Sequence, residues 1–190
     1  MKHLLLALLV LAVAPTVEAQ YESAYYGLSL GEFDYEAAGG LGGADTTSSY
    51  RLMVGYQFME HLTVEGGWGQ TGDIEDSVTF FNGFGPPVTA NFHSEFEILT
   101  IRLLGVLPFD NGLSLLGGLG YADSEEKVTL VNVDDPGDRV EIEISSNDPT
   151  YYVAAQYDWD RLAIRLGYEK YDFDGDLDVV ETSVTFFYKL

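Results

Sequence analysis

The chain has 190 residues, a formal net charge of −22 and no cysteine. The acidic excess argues against binding to nucleic acid, whose phosphates it would repel, and favours a solvated surface that attracts cations. The lack of cysteine excludes a disulfide framework and any cysteine-based metal or redox site.

Residues 1–19 are predicted to be a signal peptide. Lys2 and His3 precede an apolar run over 4–14, and the stretch 17–19 fits a small-x-small cleavage site. We therefore expect a single domain over 20–190, still with a net charge of −22 because the leader holds one lysine and one glutamate. No later stretch has the roughly 20 consecutive apolar residues of a membrane helix, so any membrane crossing is by strands.

Alternating apolar and polar residues predict eight strands, because successive side chains of a strand point to opposite faces. The clearest are the second, where Tyr50, Leu52 and Val54 share a face, and the last, where Phe187 is the one exception on the polar face. The strands are predicted at about 23–34, 50–58, 62–69, 94–107, 113–122, 151–157, 162–168 and 180–190.

The connections between these strands alternate in length. Short turns are predicted near 59–61, 108–112 and 158–160, and longer loops at about 35–49, 70–93, 123–149 and 172–178. Within the third long loop, residues 127–133 and 139–144 are predicted to extend their strands as a hairpin outside the membrane. Short turns at one end and long loops at the other are typical of outer-membrane barrels.

Two orientations of such a barrel are possible: a soluble lipocalin-like barrel with its apolar face inward, or a membrane barrel with that face outward. Loop asymmetry, glycine-rich polar faces with isolated charges, and aromatic residues at strand ends favour the second. The predicted fold class is all-β, an eight-stranded antiparallel up-and-down transmembrane β-barrel. The predicted membrane-interface aromatic residues are Tyr50, Phe58, Trp68, Tyr121, Tyr157, Tyr168 and Tyr188.

In the membrane orientation, six charged residues face the lumen. They are Arg51, Glu65, Arg102, Arg165, Glu169 and Glu181. Unpaired buried charges cost several kcal/mol each, so we expect these residues to form a network that plugs a polar lumen. The alternative, that some of them face water near the rim, stays open, above all for Glu169.

The chain resembles the small outer-membrane β-barrels typified by the transmembrane domain of outer membrane protein A and by outer membrane protein X. The resemblance rests on YYGLSLG at 25–31, YRLMVGYQF at 50–58 and the closing VTFFYKL, although Leu190 stands where relatives end in an aromatic residue. It implies a Gram-negative outer-membrane location and assembly by the barrel-assembly machinery. We also expect contact with outer-membrane lipids and lipopolysaccharide, through divalent cations or directly, and a monomer.

Some barrels of this size modify lipid A with a rim histidine and serine, and His93, Ser94 and Glu95 are the local candidates. Adjacent residues of a strand point to opposite faces, so His93 and Ser94 are not expected to form a nucleophile and base pair. We predict no catalytic residue and no cofactor.

The acidic stretch at 172–178 carries oxygen ligands of the kind that calcium prefers. Gly175 is misplaced for an EF-hand loop and Ser183 stands where its last glutamate would be, so a soluble loop tip is the preferred interpretation and no metal site is predicted. The leading hypothesis is a non-enzymatic barrel with a plugged lumen, acidic loops and a structural or surface-interaction role. The alternatives are a narrow channel for ions or small apolar molecules and a lipid A-modifying enzyme.

Overall fold

The computed structural model describes residues 23–36, 45–80, 88–133, 137, 139–173 and 177–190. The predicted signal peptide lies outside these residues. Within the described part of the chain, no helix is long and apolar enough to cross a membrane.

In the ranges that the structure describes, nine strands form one antiparallel sheet. They are β1 (Ser23–Glu36), β2 (Asp45–Met59), β3 (Leu62–Thr71), β4 (Ile74–Phe80), β5 (Val88–Pro108), β6 (Leu113–Asn132), β7 (Arg139–Trp159), β8 (Leu162–Phe173) and β9 (Leu177–Lys189). The order β3-β2-β1-β9-β8-β7-β6-β5 closes because β3 also pairs with β5. The predicted eight-stranded up-and-down barrel is therefore confirmed.

The additional strand, β4, lies beyond the end of β3 beside the same neighbour, β5, so it does not add a strand to the ring. β3 pairs with residues 97–105 of β5, and β4 pairs with residues 88–94 of the same strand. The sequence placed β4 in a loop at 70–93, and this prediction is wrong. Strands were predicted from an apolar face suited to lipid. The outer side of β4 meets water, so this strand does not need such a face.

Strands β5, β6 and β7 are 20 or 21 residues long, about twice what a bilayer crossing requires. Their added length lies at the long-loop end, where β6 and β7 pair as far as Val131 and Arg139. The predicted hairpin of residues 127–133 and 139–144 is present there. We call the four-stranded projection formed by β4 with 88–97, 123–132 and 139–148 the extension.

The exterior of the barrel is apolar and the interior is polar where the strands cross the bilayer. Outward side chains such as Leu103, Leu119 and Leu166 are 52, 64 and 60% exposed, whereas inward Arg51 and Glu65 are 5 and 1% exposed. Apolar surface of this extent is stable only against hydrocarbon. The lipocalin-like orientation, with the apolar face inward, is therefore contradicted.

Aromatic side chains form two belts on the outward face. Tyr50, Trp68, Tyr121 and Tyr168 lie at the long-loop end of the apolar band, while Tyr157 and Tyr188 lie at the turn end. Phe58, the other predicted interface residue, lies at a bulge between Gln57 and Met59, where the register with β3 shifts. In the belt at the long-loop end, two aromatic side chains hydrogen-bond to polar side chains on a neighbouring strand. Trp68 Nε1 donates to Glu97 Oε1 at 2.8 Å, and the Tyr50 hydroxyl donates to Gln70 Oε1 at 2.5 Å. Such contacts are typical of the lipid–water boundary.

Glycine on the inward face makes room for large lumenal side chains, which allows a test of the packing. A Cβ at Gly55 would lie 2.2 Å from the Tyr25 ring, whereas a Cβ at Gly66, which faces lipid, would have no neighbour closer than 3.8 Å. Gly55→Ala is expected to lower the free energy of unfolding by about 1–3 kcal/mol through overpacking. Urea titration of the folded protein in lipid vesicles measures this, with Gly66→Ala as the matched control. Equal stability of the two variants would contradict the tight lumenal packing.

Candidate functional site: the charge network of the lumen

The six charged residues predicted to face the lumen come from five strands of the ring. Glu65 on β3 stands directly opposite Arg102 on β5, and Glu169 on β8 stands directly opposite Glu181 on β9. Two like charges facing each other destabilise a sheet unless a cation lies between them. Arg51 on β2, which β1 separates from β9, supplies that cation.

Three arginines and three glutamates alternate through the lumen. Arg51 Nη1 lies 2.6 Å from Glu169 Oε2, and its Nη2 contacts Glu181. Arg102 bridges Glu169 and Glu65 at 3.1 and 2.8 Å, and Arg165 Nη1 lies 2.6 Å from Glu65 Oε1. We call these six residues the charge network.

The charge network is isolated from water. All six residues are 5% exposed or less, and Glu169, at 2%, lies within the network rather than at the rim. The charges balance, three against three, so no ion is needed to neutralise the group. In the dry interior of a barrel, such pairs hold together because separating either partner leaves an uncompensated charge.

Two tyrosine hydroxyls, not anticipated from the sequence, donate further hydrogen bonds to two of the glutamates. The Tyr25 hydroxyl donates to Glu65 Oε1 at 2.5 Å and the Tyr171 hydroxyl donates to Glu181 Oε2 at 2.8 Å. Both tyrosines occupy inward positions of their strands. The same period-two alternation that located the arginines would therefore have placed these tyrosines in the lumen.

Aromatic rings pack against two of the guanidinium groups. Arg102 lies over the Tyr152 ring at 3.8 Å from its centroid, and Arg165 lies over Phe187 at 4.3 Å. Phe187 is the residue that breaks the alternation of the last strand. Its inward position provides a face for a desolvated cation, which is where a cation–π contact is strongest.

The polar contacts continue from the charge network to the turn end of the barrel. Arg165 Nε donates to Gln156 Oε1 at 2.8 Å, Gln156 Nε2 donates to Asp158 Oδ1 at 2.9 Å, and Lys189 Nζ lies 2.8 Å from Asp158 Oδ1. A cavity of about 140 Å³ opens beside these residues and reaches Arg165.

An apolar cluster closes the lumen at the long-loop end. It consists of Phe33, Ile74, Phe96, Ile98, Ala122, Tyr171 and Val179, each at most 6% exposed. The sequence predicted a polar lumen filled by charged residues; the structure contains this charged layer and adds an apolar layer at the long-loop end. The apolar layer was missed because its residues are scattered over strands that also carry polar inward residues.

The structure separates the candidate residues of the rim enzyme. Ser94 faces inward, is 1% exposed and donates to Glu126 Oε1 at 2.7 Å, whereas His93 lies on the outer face beside Glu95. A hydrogen bond with Asp73 raises the pKa of the Glu95 carboxyl above its usual value. His93 and Ser94 therefore cannot act as a base and nucleophile pair in this conformation.

The acidic stretch at 172–178, for which no metal site is predicted, lies only partly within the described residues. Asp174 and Asp176 lie outside the described residues, and Asp172 is exposed. Within the described ranges, no group of three or more His, Asp or Glu side chains could hold a metal ion.

The outer face of the extension carries many carboxylates directly above the aromatic belt. We call this surface the acidic wall. Its acidic residues are Glu95, Glu97, Asp123, Glu125, Glu141 and Glu143. Lys127 lies among them, directly opposite Glu95 and Glu143, so the wall has a strong negative excess.

A closed antiparallel ring with a lipid-suited exterior and a buried charge network in its interior defines a transmembrane β-barrel of the small eight-stranded class. Residues 4–189 match the model of the family described as outer membrane protein beta-barrel domain, and the chain belongs to this family. It is accordingly a protein of the Gram-negative outer membrane.

Solved barrels share this fold at low sequence identity. The attachment invasion locus protein Ail of Yersinia pestis is 16% identical, with a TM-score of 0.61 over 90% of this chain and 100% of Ail. Neisserial surface protein A is 12% identical (TM-score 0.55, 88% and 97%), and OprG of Pseudomonas aeruginosa is 14% identical (TM-score 0.53, 90% and 96%). No curated protein sequence matches the chain.

Proposed function

We propose that this protein is a closed, non-enzymatic barrel that supports the outer membrane and acts through the surface it presents to the exterior. One observation carries the proposal: the buried charge network crosses the lumen, and the apolar cluster lies above it. A barrel of eight strands is just wide enough for its own side chains, so this filling leaves no continuous aqueous path.

Opening a path would require ion pairs to separate in a dry environment. Arg51 alone contacts two glutamates, and Glu65 contacts two arginines. Removing one partner of a buried pair costs about 3–5 kcal/mol, so an open state would be rarely populated.

A narrow channel remains the second candidate, because the cavity at the turn end has Arg165 in its lining. Planar-bilayer recording of the refolded protein tests both candidates. The closed barrel predicts no unitary current steps under conditions in which a refolded porin control conducts. Regular current steps that persist after repurification would overturn the closed barrel and support the channel.

The non-enzymatic part of the proposal rests on the separation of His93 and Ser94 by the sheet. Mass spectrometry of lipid A from cells with and without the protein tests it. We expect identical lipid A species in the two samples. A species that appears only with the protein, and that is lost in His93→Ala, would overturn the proposal.

The acidic wall predicts which surface ligands this barrel rejects. Ail is similar in fold and has been crystallised with the heparin analogue sucrose octasulfate, a polyanion. Here the carboxylates above the aromatic belt would repel sulfate groups. We expect immobilised heparin not to retain the folded protein at physiological salt. Retention that high salt reverses would contradict this expectation.

A further inference from the structure

The short turn between β5 and β6 contains an asparagine followed by glycine, Asn111 and Gly112. The backbone nitrogen that follows an asparagine is a nucleophile placed close to the carbon of the side-chain amide. Glycine leaves that nitrogen open to approach because it has no Cβ. Attack closes a cyclic succinimide, which water then opens. The chain has a second pair of this kind at 82–83, outside the described residues.

The backbone of this turn leaves the Gly112 nitrogen loosely held. Gly112 has a φ of 82°, in the left-handed region that favours glycine. Phe109 N donates to Leu113 O at 2.8 Å, whereas Gly112 N donates to Phe109 O at 3.3 Å. The second distance lies beyond the usual range for an N–H···O hydrogen bond. Little hydrogen-bond energy therefore has to be given up before the Gly112 nitrogen attacks.

The Asn111 side chain is folded back over the turn. Leu113 N donates to Asn111 Oδ1 at 3.1 Å, the bond that asparagine side chains commonly accept from the amide two residues on. This bond closes a ring that includes the Gly112 backbone, so it holds the side-chain carbonyl near the Gly112 nitrogen. It also places a donor on the oxygen that becomes negative during the attack. A donor in that position stabilises the intermediate of an acyl transfer.

The turn is open to water. Asp110 and Asn111 are exposed and Gly112 is half-buried. Solvent therefore supplies both the base that takes the Gly112 proton and the water that opens the ring. In outer-membrane barrels the short turns face the periplasm, so an aqueous compartment surrounds this site.

The other described asparagines lack this combination. They are Asn91, Asn132 and Asn147, each of which lies within a strand and precedes a residue that has a side chain. A side chain beside the attacking nitrogen hinders its approach, and the ladder of a sheet holds the backbone extended. Within the described ranges, only Asn111 has a following glycine, an exposed turn and a donor on its side-chain oxygen.

We propose that Asn111 is a site of spontaneous covalent modification, at which the assembled barrel acquires aspartate or isoaspartate as it ages. The Gly112 nitrogen forms a bond to Asn111 Cγ and gives its proton to solvent. The bond from Cγ to Nδ2 breaks, and Nδ2 takes up a proton and leaves as ammonia. One water molecule then opens the succinimide at either of its carbonyl groups. The conversion consumes one water, releases one ammonia and needs no oxidant or enzyme.

The two products change the turn in different ways. Aspartate keeps an oxygen where Oδ1 was, so the bond from Leu113 N persists, and it adds a negative charge beside Asp110. Isoaspartate carries the main chain through the Cβ of residue 111 and so lengthens the turn. Gly112 O accepts from Asp158 N at 2.9 Å, which joins this turn to the end of β7. The isoaspartate product therefore loosens the contact between two neighbouring turns.

Timed incubation of the folded protein in lipid vesicles in mildly alkaline buffer, followed by peptide mass spectrometry, tests the proposal. We expect a mass increase of about 1 Da at Asn111 and labelling of the isoaspartate product by protein isoaspartyl methyltransferase. The strand residues Asn91, Asn132 and Asn147 are controls within the same sample. We expect each of them to convert at least about tenfold more slowly. Conversion at Asn111 that is no faster than at these residues would overturn the inference.

A substitution at Leu113 separates the effect of the turn from that of the dipeptide. Leu113→Pro removes the N–H that bonds Asn111 Oδ1, at the first residue of a strand, where proline is tolerated. Leu113→Val keeps this N–H and is the matched control. We expect conversion to slow by at least about tenfold in the proline variant alone. Equal rates in the two variants would contradict the assistance by the turn.

Heat-modifiable migration on gels shows whether both variants fold. If the proline variant does not fold, the comparison of Asn111 with the strand asparagines of the unchanged protein still decides the inference. None of these results bears on the closed barrel, which conductance tests separately.

Discussion

Glu65→Gln is expected to lower the free energy of unfolding by about 3–5 kcal/mol. Glu65 is 1% exposed and contacts Arg102, Arg165 and the Tyr25 hydroxyl at 2.8, 2.6 and 2.5 Å. Glutamine has the same shape and opens no cavity. The loss therefore measures the cost of leaving two guanidinium groups buried without their shared counter-charge.

Urea unfolding in lipid vesicles, followed by tryptophan fluorescence and by heat-modifiable migration on gels, measures this loss. Glu60→Gln is the matched control, because the Glu60 side chain is 56% exposed at a turn and makes only a 3.9 Å contact with His61. Exposed pairs of this kind contribute about 0–1 kcal/mol. If the two variants unfold at the same urea concentration, the charge network does not stabilise the barrel.

The ring itself was predictable because lipid imposes a strict period of two on every strand that crosses it. The predicted segments at 50–58, 62–69 and 162–168 all lie within strands of the structure. Even Phe187, the exception in the last strand, was placed on the inward face, where it now lies against Arg165.

The extension was predictable only where its strands continue a lipid-facing strand. The hairpin at 127–144 was recognised, but β4 was not, because a strand with water on one side is under weaker selection for alternation. Its position is fixed instead by pairing with residues 88–94 of β5. Such pairing depends on the turn geometry between strands, which composition does not reveal.

The pairing within the charge network could not be deduced from the sequence. Arg51 meets Glu169 and Glu181, which are 118 and 130 residues away along the chain. Closure of the ring decides which inward side chains meet across the lumen. The sequence therefore predicts which residues are inside, whereas only the closed ring shows that Arg51 separates two facing glutamates.

A charge placed on the lipid-facing surface gives the second large effect. Leu103 lies midway along the apolar band of β5, between the aromatic belt at the long-loop end and the turn at Pro108. Its side chain points outward and is 52% exposed. Leu103→Arg is expected to cost about 2–4 kcal/mol, because a guanidinium at the bilayer midplane loses its hydration.

The same substitution at the edge of the band provides the depth control. Leu107 is on the same strand and face and is 57% exposed, but it adjoins Pro108 and the short turn. There the arginine reaches interfacial water, and Leu107→Arg is expected to cost about 0–1 kcal/mol.

Urea unfolding of both variants in vesicles of one lipid gives the difference in the free energy of unfolding directly. Equal losses would mean that depth in the bilayer does not set the cost, and the position of the apolar band on this barrel would have to be reassigned. A cost that falls from Leu103 to Leu107 can arise only if hydrocarbon surrounds the middle of β5, since water around the barrel would accept an arginine equally at both positions.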